Sequence, residues 1–344
     1  GHEWFRVYDD AWVCGRDVAL SFDPPAASPW PPVRRDSHTP WPYAFLQESA
    51  VEYRWNKLGW LDEIREIFKG FGFAVEGTVT IDEQRFYRTP EGNLIPASAA
   101  RYTSRVTEFE GRILENGAPW PVGFVNEKTA WVYASAAAGE KDRVRQLVRF
   151  DSFEVLGRSD TTPLFFRIGD RAWIAAKDVR VTTSAPRPAD VAPDEKWIDV
   201  DVEQQIVTAL RGDVPVYVTL ASTGRKGPSA TVKGEFRIWV KVAAIAMDNT
   251  DEEQEGDTDS DTAAPERHLY SLQDVPWTQF FHENYALHAV YWHNGFGNRR
   301  SHGCVNLSPK DARWFWEWTD PVIPDGWWSI YTSDNEKGTL VRVR

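Results

Sequence analysis

A short pattern of aromatic and β-branched residues recurs three times in the first half of the chain and limits what that half can fold into. Each copy has two apolar residues before an arginine, a tight polar turn and a second apolar run. The arginines, Arg6, Arg88 and Arg167, lie 82 and 79 residues apart. Paired apolar runs joined by such turns are typical of β-hairpins, and a fixed spacing is typical of repeated modules. We therefore predict three related hairpins, with chance recurrence in a β-rich chain as the alternative.

Modules built from such hairpins resemble bacterial SH3-like domains, which are small β-barrels. We place a remnant of one module and a proline-rich connector in residues 1–45, and a repeat region in residues 46–185. Within it, residues 47–70 carry apolar side chains at helical spacing, which predicts one amphipathic helix. A second proline-rich stretch gives a linker at 186–195, so that a last domain covers 196–344.

Composition excludes several classes of function. The 344 residues are enough for two or three domains. A net charge of −12 argues against a nucleic-acid partner, which would need a basic face. No run of 18 apolar residues occurs, so we expect no membrane span in this chain.

Residues 196–344 begin with the alternating segment 197–202, which is typical of a half-buried strand. Residues 248–261 are strongly acidic, and Asp257, Asp259 and Asp261 resemble the start of a calcium loop. Thr262 and His268 stand where an EF-hand needs glycine and an acid. We therefore interpret this segment as a solvated, mobile loop.

The residues that point to chemistry lie between 282 and 306. Four of the seven histidines are found between His282 and His302, and Cys304 follows directly after Gly303. An imidazole can activate a cysteine thiol as a nucleophile, and backbone N–H groups at a glycine turn can stabilise an oxyanion. A zinc site, a structural His–Cys pair and a Cys14–Cys304 disulfide are the alternatives. The spacing favours a cysteine acyl-transfer or hydrolase site. Cys14 aligns with Ala175 in the hairpin repeat, which indicates a structural residue.

The segment Ser301-His302-Gly303-Cys304-Val305-Asn306, with a histidine upstream, resembles the motif of L,D-transpeptidases of the YkuD type. The resemblance covers residues from about 196 to 344. Ser222-Thr223-Gly224 and Thr231-x-x-Gly234-x-Phe236 resemble further family segments, although Val232 replaces the usual proline. The acidic run 248–262 falls where the family often has a substrate-covering loop.

This resemblance implies a mainly β protein, in which SH3-like modules precede a mixed β-sandwich catalytic domain with a few helices. It implies an exported protein, periplasmic or associated with the cell wall, that acts on peptidoglycan stem peptides without a cofactor or metal. Cys304 would attack the stem at its third residue and form a thioester, which an amine of a neighbouring stem resolves into a 3→3 cross-link.

Site residues follow from the same resemblance. The base would be His288, with 12 residues between it and Ser301; His293, with seven, is the rival. The Ala289 carbonyl would fix the tautomer of the base, and Ser301 and Asn306 would shape the turn. The full expectation has a catalytic set (Cys304, His288, His302, Gly303) and a substrate-binding set (Ser301, Arg300, Asn306, Tyr291, His293).

Two alternatives stay open. An L,D-carboxypeptidase would use water as the acceptor, and a cell-wall-binding scaffold would retain the fold without catalysis. The role of the repeats and the oligomeric state are also left open by the sequence. Beyond the motif, Ser308 and Pro309 predict the start of a helix, with Trp314 and Trp318 in the core and Trp316 pointing elsewhere.

Overall fold

The computed structural model describes residues 4–6, 12–16, 38–103, 107–114, 120–137, 139–248, 271–324, 327–333 and 336–344. Over these residues the chain is mainly β, with 29 strands and one α-helix, which confirms the predicted fold class. Within the same ranges, no helix has the length and apolar character that a membrane crossing requires. Most of the proline-rich connector, and the acidic run beyond Asp248, lie outside the described residues.

All three predicted hairpins are present. In the first, β1 (Trp4–Arg6) pairs antiparallel with β2 (Trp12–Cys14). Cys14 is buried, and both it and Cys304 are free thiols, so the disulfide alternative is wrong. The other two hairpins belong to longer units that we call the first repeat unit (residues 43–102) and the second repeat unit (residues 122–181).

The first repeat unit contains a three-stranded arrangement in the order β10-β3-β6 and a five-stranded sheet in the order β5-β4-β9-β8-β7. A 3-10 turn at Ala97–Ala99 precedes its last strand. The strands are β3 (Tyr43–Leu46), β4 (Ala50–Trp55), β5 (Leu61–Ile67), β6 (Gly72–Ala74), β7 (Gly77–Ile81), β8 (Gln84–Arg88), β9 (Leu94–Pro96) and β10 (Ala100–Tyr102).

After β11 (Arg112–Ile113), the second repeat unit has the same topology, with the orders β19-β12-β15 and β14-β13-β18-β17-β16. A 3-10 turn at Ala176–Asp178 again precedes the last strand. The repeat is therefore present in the strand order as well as in the sequence, although the described strand pairs close neither unit into one barrel. The strands are β12 (Val122–Val125), β13 (Thr129–Tyr133), β14 (Arg143–Val148), β15 (Ser152–Glu154), β16 (Gly157–Arg158), β17 (Phe165–Gly169), β18 (Ala172–Ala175) and β19 (Val179–Val181).

The helix expected within residues 47–70 is wrong, because β4 and β5 form a hairpin there. Asn56 Oδ1 accepts hydrogen bonds from the backbone N–H groups of Leu58 and Trp60 and fixes the turn. Gly59 occupies a left-handed conformation with φ of +81°. Of the apolar residues at helical spacing, Ile64 is exposed whereas Ile67 is buried. These residues therefore do not share one buried face, as they would on an amphipathic helix.

Residues 196–344, which we call the last region, supply most of the strands of two packed sheets and the α-helix. One sheet has the order β11-β22-β21-β20-β29-β23; the other runs β10-β3-β6-β25-β24-β28, with β26 beside β25 and β27 beside β26. The elements are β20 (Lys196–Asp201), β21 (Ile206–Arg211), β22 (Val214–Leu220), β23 (Gly234–Arg237), β24 (Val240–Asp248), β25 (Ser271–His282), β26 (Tyr285–Ala289), β27 (Val305–Leu307), α1 (Pro309–Trp318), β28 (Ser329–Tyr331) and β29 (Leu340–Val343).

Both sheets and α1 contribute to the main core. Ile198 of the six-stranded sheet, Leu287 of the eight-stranded sheet and Phe315 of the helix belong to one buried cluster. Strands from the predicted repeat region complete both sheets, since β11 pairs with β22 and β6 meets β25. The repeat region and the last region therefore share hydrogen-bonded sheets rather than meeting only through a linker.

The helix begins as predicted, because Ser308 Oγ accepts a hydrogen bond from Asp311 N (3.1 Å). The expectation for its tryptophans is reversed. Trp316 is the buried one, 5.7 Å from the Trp277 ring between centroids. Trp314 and Trp318 are only partly buried and stack on each other, because α1 lies with the Trp316 side toward β25.

Candidate active site

Two neighbouring parallel strands carry the candidate site. In the register of β26 and β27, Leu287 lies beside Val305 and His288 beside Asn306. Leu287 and Val305 point into the main core. Since side chains alternate along a strand, His288 and Asn306 lie together on the opposite face.

Cys304 directly precedes β27, so the same register places it beside Ala286 and on the face of His288. From the spacing of strands and residues, the Cα atoms of Cys304 and His288 are about 8 Å apart on the diagonal. The thiol donates to the carbonyl of Asn284 (3.5 Å). The side chain keeps some exposure, but the surrounding protein desolvates the thiol and raises its pKa to about 11.

His288 is buried, and its Nδ1 lies 3.0 Å from the carbonyl oxygen of Ala289. A carbonyl only accepts, so Nδ1 carries the proton and donates, and Nε2 keeps a lone pair. Among the described residues, Nε2 has no hydrogen-bond partner. Desolvation by burial lowers the pKa of His288 to about 4, which keeps the imidazole neutral and available as a base.

His293 is differently placed. Its Nδ1 accepts a hydrogen bond from Gly295 N (3.2 Å), and its Nε2 lies 3.1 Å from the amide of Asn306. Both ring nitrogens are therefore occupied. Burial, with a smaller effect of the Arg300 charge, lowers its pKa to about 4. This arrangement suits a structural histidine better than a base.

The turn before Cys304 is held by hydroxyl groups. Ser301 Oγ donates to the carbonyl of Cys304 (2.5 Å) and accepts from Gly303 N (3.1 Å). The Gly303 N–H is therefore already occupied within the turn. No acceptor for the Cys304 N–H is found in the part of the chain that the structure describes, so that group is available to donate to a ligand.

Gly303 is required at its position. Its φ is +144°, and a Cβ there would come 2.7 Å from Cε1 of Tyr285. Thr231 Oγ1 donates to the Gly303 carbonyl (2.7 Å). Thr231 was noted in the sequence only as part of a family segment, so this contact assigns it a role that the sequence did not.

The Ser222-Thr223-Gly224 segment lies beside the turn. Thr223 O accepts from the backbone N–H groups of Arg300 (2.9 Å) and Ser301 (3.2 Å). Ser222 forms an isolated bridge with Asn306. This segment therefore fixes the chain on both sides of Cys304.

Tyr291, which the sequence places in the substrate-binding set, lies in the interior of the protein. It is 3% exposed, its hydroxyl donates to the Gln273 carbonyl (2.8 Å), and its ring stacks on Tyr43 (3.7 Å between centroids). Two other expected residues, Arg300 and His302, are exposed beside the turn. Within the described ranges, no group of three or more His, Cys, Asp or Glu side chains is placed to hold a metal ion.

Three residues of the second repeat unit also reach the site's loop: Asn126, Arg149 and Arg180 contact residues 296–298. The sequence alone does not point to these three residues, because no motif marks them and they lie more than 100 residues before Cys304.

Comparison with known proteins gives one family. Residues 195–343 match the model of the L,D-transpeptidase catalytic domain, YkuD. No curated protein sequence matches the chain.

Solved structures similar to this chain include L,D-transpeptidases from three bacteria. For the Enterococcus faecium protein the identity is 19%, over 48% of this chain and 55% of that chain, with a TM-score of 0.32. For the Stackebrandtia nassauensis protein the identity is 22%, over 45% of this chain and 58% of that chain, with a TM-score of 0.29. For the Mycobacterium smegmatis protein the identity is 14%, over 79% of this chain and 95% of that chain, with a TM-score of 0.31. The chain thus spans less than two thirds of the length of the first two.

Proposed function

We propose that residues 195–343, which match the model of the YkuD L,D-transpeptidase catalytic domain, make this chain a peptidoglycan L,D-transpeptidase with Cys304 as its nucleophile. One observation carries the proposal. Cys304 directly precedes β27, whose register with β26 extends to place it on the face of His288, and the Ala289 carbonyl holds His288 in the tautomer whose Nε2 can accept a proton.

In the resting protein both groups are neutral, because burial raises the pKa of Cys304 and lowers that of His288. We infer that Nε2 of His288 takes the thiol proton as sulfur attacks the carbonyl carbon of the third stem residue. The resulting imidazolium gives that proton to the leaving amine of the terminal D-amino acid. The C–N bond breaks and a thioester of Cys304 remains.

In the second half of the reaction, an acceptor amine attacks the thioester and the proton transfers run in the opposite order. An amine of a neighbouring stem loses a proton to His288 and attacks the thioester, and the sulfur leaves and is reprotonated. This forms the amide of a 3→3 cross-link. In both halves, the developing oxyanion would be met by the N–H of Cys304, since Ser301 already occupies the N–H of Gly303.

Further assignments accompany this function. We propose that the protein is exported to the periplasm or cell wall, where peptidoglycan is found. We also propose that the two repeat units are SH3-like modules, supported by their shared strand order and by the 3-10 turn before the last strand of each. The domain limits proposed from the sequence, 1–45, 46–185, 186–195 and 196–344, stay predictions.

The test is mass spectrometry of the products formed from a purified disaccharide-tetrapeptide. We expect a cross-linked dimer that lacks one terminal D-amino acid, absent with Cys304→Ala and present with Cys14→Ala, which changes the other, buried cysteine. Tripeptide alone would show a carboxypeptidase that uses water. Binding of peptidoglycan without turnover, equal for wild type and Cys304→Ala, would contradict an enzyme and indicate a scaffold.

A further inference from the structure

The loop between His293 and Ser301 connects the two sides of the candidate site. At one end, the His293 ring contacts Asn306, the register partner of His288. At the other end, Ser301 begins the turn that carries Cys304. Any displacement of this loop would therefore change the position of the nucleophile relative to the base.

Three consecutive loop residues are bound by side chains of the second repeat unit. Arg149 donates to the carbonyl of Phe296 (2.8 Å), and Arg180 Nε donates to the carbonyl of Gly297 (2.9 Å). Next along the loop, Asn298 exchanges two hydrogen bonds with the side-chain amide of Asn126 (3.2 and 3.3 Å).

These contacts are close, and they come from residues within or next to β-strands. Asn126 is 4% exposed and follows β12, and Arg180 lies within β19. A Cβ on Gly297 would come 2.1 Å from Asn126 Oδ1, so glycine lets the two chains approach. Arg149 also donates to the Asn126 carbonyl, and one guanidinium thereby joins the repeat unit to the loop.

Apolar packing continues the same contact. Phe296 is fully buried, with its ring centroid 6.4 Å from that of Phe150 in the second repeat unit and 5.7 Å from that of Phe109, which lies between the two repeat units. Simple proximity of two domains would not require hydrogen bonds to three successive loop residues together with this packing. The contact is therefore specific to the loop.

We propose that Asn126, Arg149 and Arg180 are positioning residues, through which the second repeat unit holds the 293–301 loop in the geometry that the Cys304–His288 pair requires. This proposal rests on the proposed transpeptidase function. It gives the repeat unit a role within the catalytic reaction that does not depend on wall binding. The three side chains touch no reacting atom and act through the loop.

The test uses Arg149→Ala, Arg180→Ala and, as a matched control, Arg145→Ala, which changes an exposed arginine on β14. For the first two variants we expect kcat for the disaccharide-tetrapeptide to fall by about 10- to 100-fold, with KM within about twofold of wild type. Arg180→Lys keeps a donor for the Gly297 carbonyl and should recover most of the loss. The assay temperature is set below the Tm measured for each variant.

A double-mutant cycle isolates the amide pair. Asn126→Ala and Asn298→Ala should each lower kcat, and the double variant should lose no more than the worse single one, because both remove the same two hydrogen bonds. Additive losses would overturn the assignment of Asn126.

Hydrogen exchange followed by mass spectrometry gives a readout independent of turnover. Segment 293–304 should exchange faster in Arg149→Ala and Arg180→Ala than in wild type or Arg145→Ala. Unchanged exchange, or unchanged kcat in a wild type that is active, overturns the positioning role. If wild type converts no stem peptide, the proposed function fails, while the exchange measurement still decides whether the repeat unit holds the loop.

Discussion

Nδ2 of Asn306 lies 3.1 Å from Nε2 of His293, while Oδ1 of the same amide is buried without a hydrogen-bond partner in the described ranges. Gly295 N donates to His293 Nδ1, so in the neutral ring Nε2 carries the proton and needs an acceptor. Exchanging the oxygen and nitrogen of the Asn306 amide supplies that acceptor and satisfies Oδ1. His293 is then a neutral ring that donates to Asn306, which supports the proposal that His288 is the base.

Replacing each histidine by glutamine should separate the two roles. His288→Gln removes the proton acceptor, and we expect kcat/KM for the tetrapeptide donor to fall by about 10²- to 10⁴-fold. In His293→Gln an amide can still donate to Asn306, so the loss should stay below about tenfold. Larger loss in His293→Gln than in His288→Gln, with both variants folded by circular dichroism, would assign the base to His293.

The charge state of the Cys304 thiol in the resting protein can be measured by its reaction with iodoacetamide. The Cys14→Ala background is used, where Cys304 is the one thiol of the sequence. Burial raises the pKa of Cys304 to about 11, so the reactive thiolate is scarce at pH 7 and increases with pH. We expect the alkylation rate to rise about tenfold per pH unit from pH 7 to pH 10. A rate that is already constant between pH 6 and pH 8 would show a thiolate–imidazolium pair instead.

At the acid end, turnover should depend on His288. Its pKa is lowered to about 4 by burial, so the ring loses its base function only as pH falls through that value. Because His288 stays neutral above about pH 5, its ionisation should not change kcat/KM there, and kcat/KM should decline below that pH. A decline centred near pH 6.5, the ordinary value for histidine, would contradict a buried neutral base.

Particular residues show which features of the structure can be predicted from the sequence. The Ser308 cap, the three hairpins and the turn at Gly303 follow from local patterns, because hydrogen bonds within a few residues determine them. Residues Leu61–Ile67 form strand β5 although their apolar spacing predicts a helix, since such spacing does not show which side chains a distant element will cover. Tyr291, Trp316 and the contacts of Arg149 and Arg180 depend on partners far along the chain, and spacing cannot reveal these.

Lys241 should be a strong determinant of stability at the end of α1. It is fully buried, and Nζ donates to the carbonyls of Trp316 (2.7 Å), Thr319 (3.0 Å) and Pro321 (2.9 Å). Lys241→Met leaves these carbonyls without donors, and we expect the free energy of unfolding in urea to fall by about 3 kcal/mol or more. In the control, Lys196→Met removes the partly exposed pair with Asp320 and should cost about 1 kcal/mol or less. Equal costs would contradict the capping role.

Asp274 should make stability depend on pH at the contact between the first repeat unit and β25. Its Oδ2 is buried without a partner among the described residues, and Tyr43 of the repeat unit donates to its backbone carbonyl. Burial, with a smaller contribution from Glu91, raises the pKa of Asp274 to about 8.

In the unfolded chain an aspartate titrates near pH 4, so between about pH 4 and pH 8 the folded state binds more protons, and the free energy of unfolding falls as pH rises. Asp274→Asn cannot ionise and should remove this slope. We expect the Tm of Asp274→Asn to exceed that of wild type by more at pH 9 than at pH 5. The control Asp170→Asn, at an exposed turn, should change the Tm by the same amount at both pH values. A Tm difference between Asp274→Asn and wild type that is the same at both pH values would mean that Asp274 is ionised throughout, with its charge balanced by a group not yet identified.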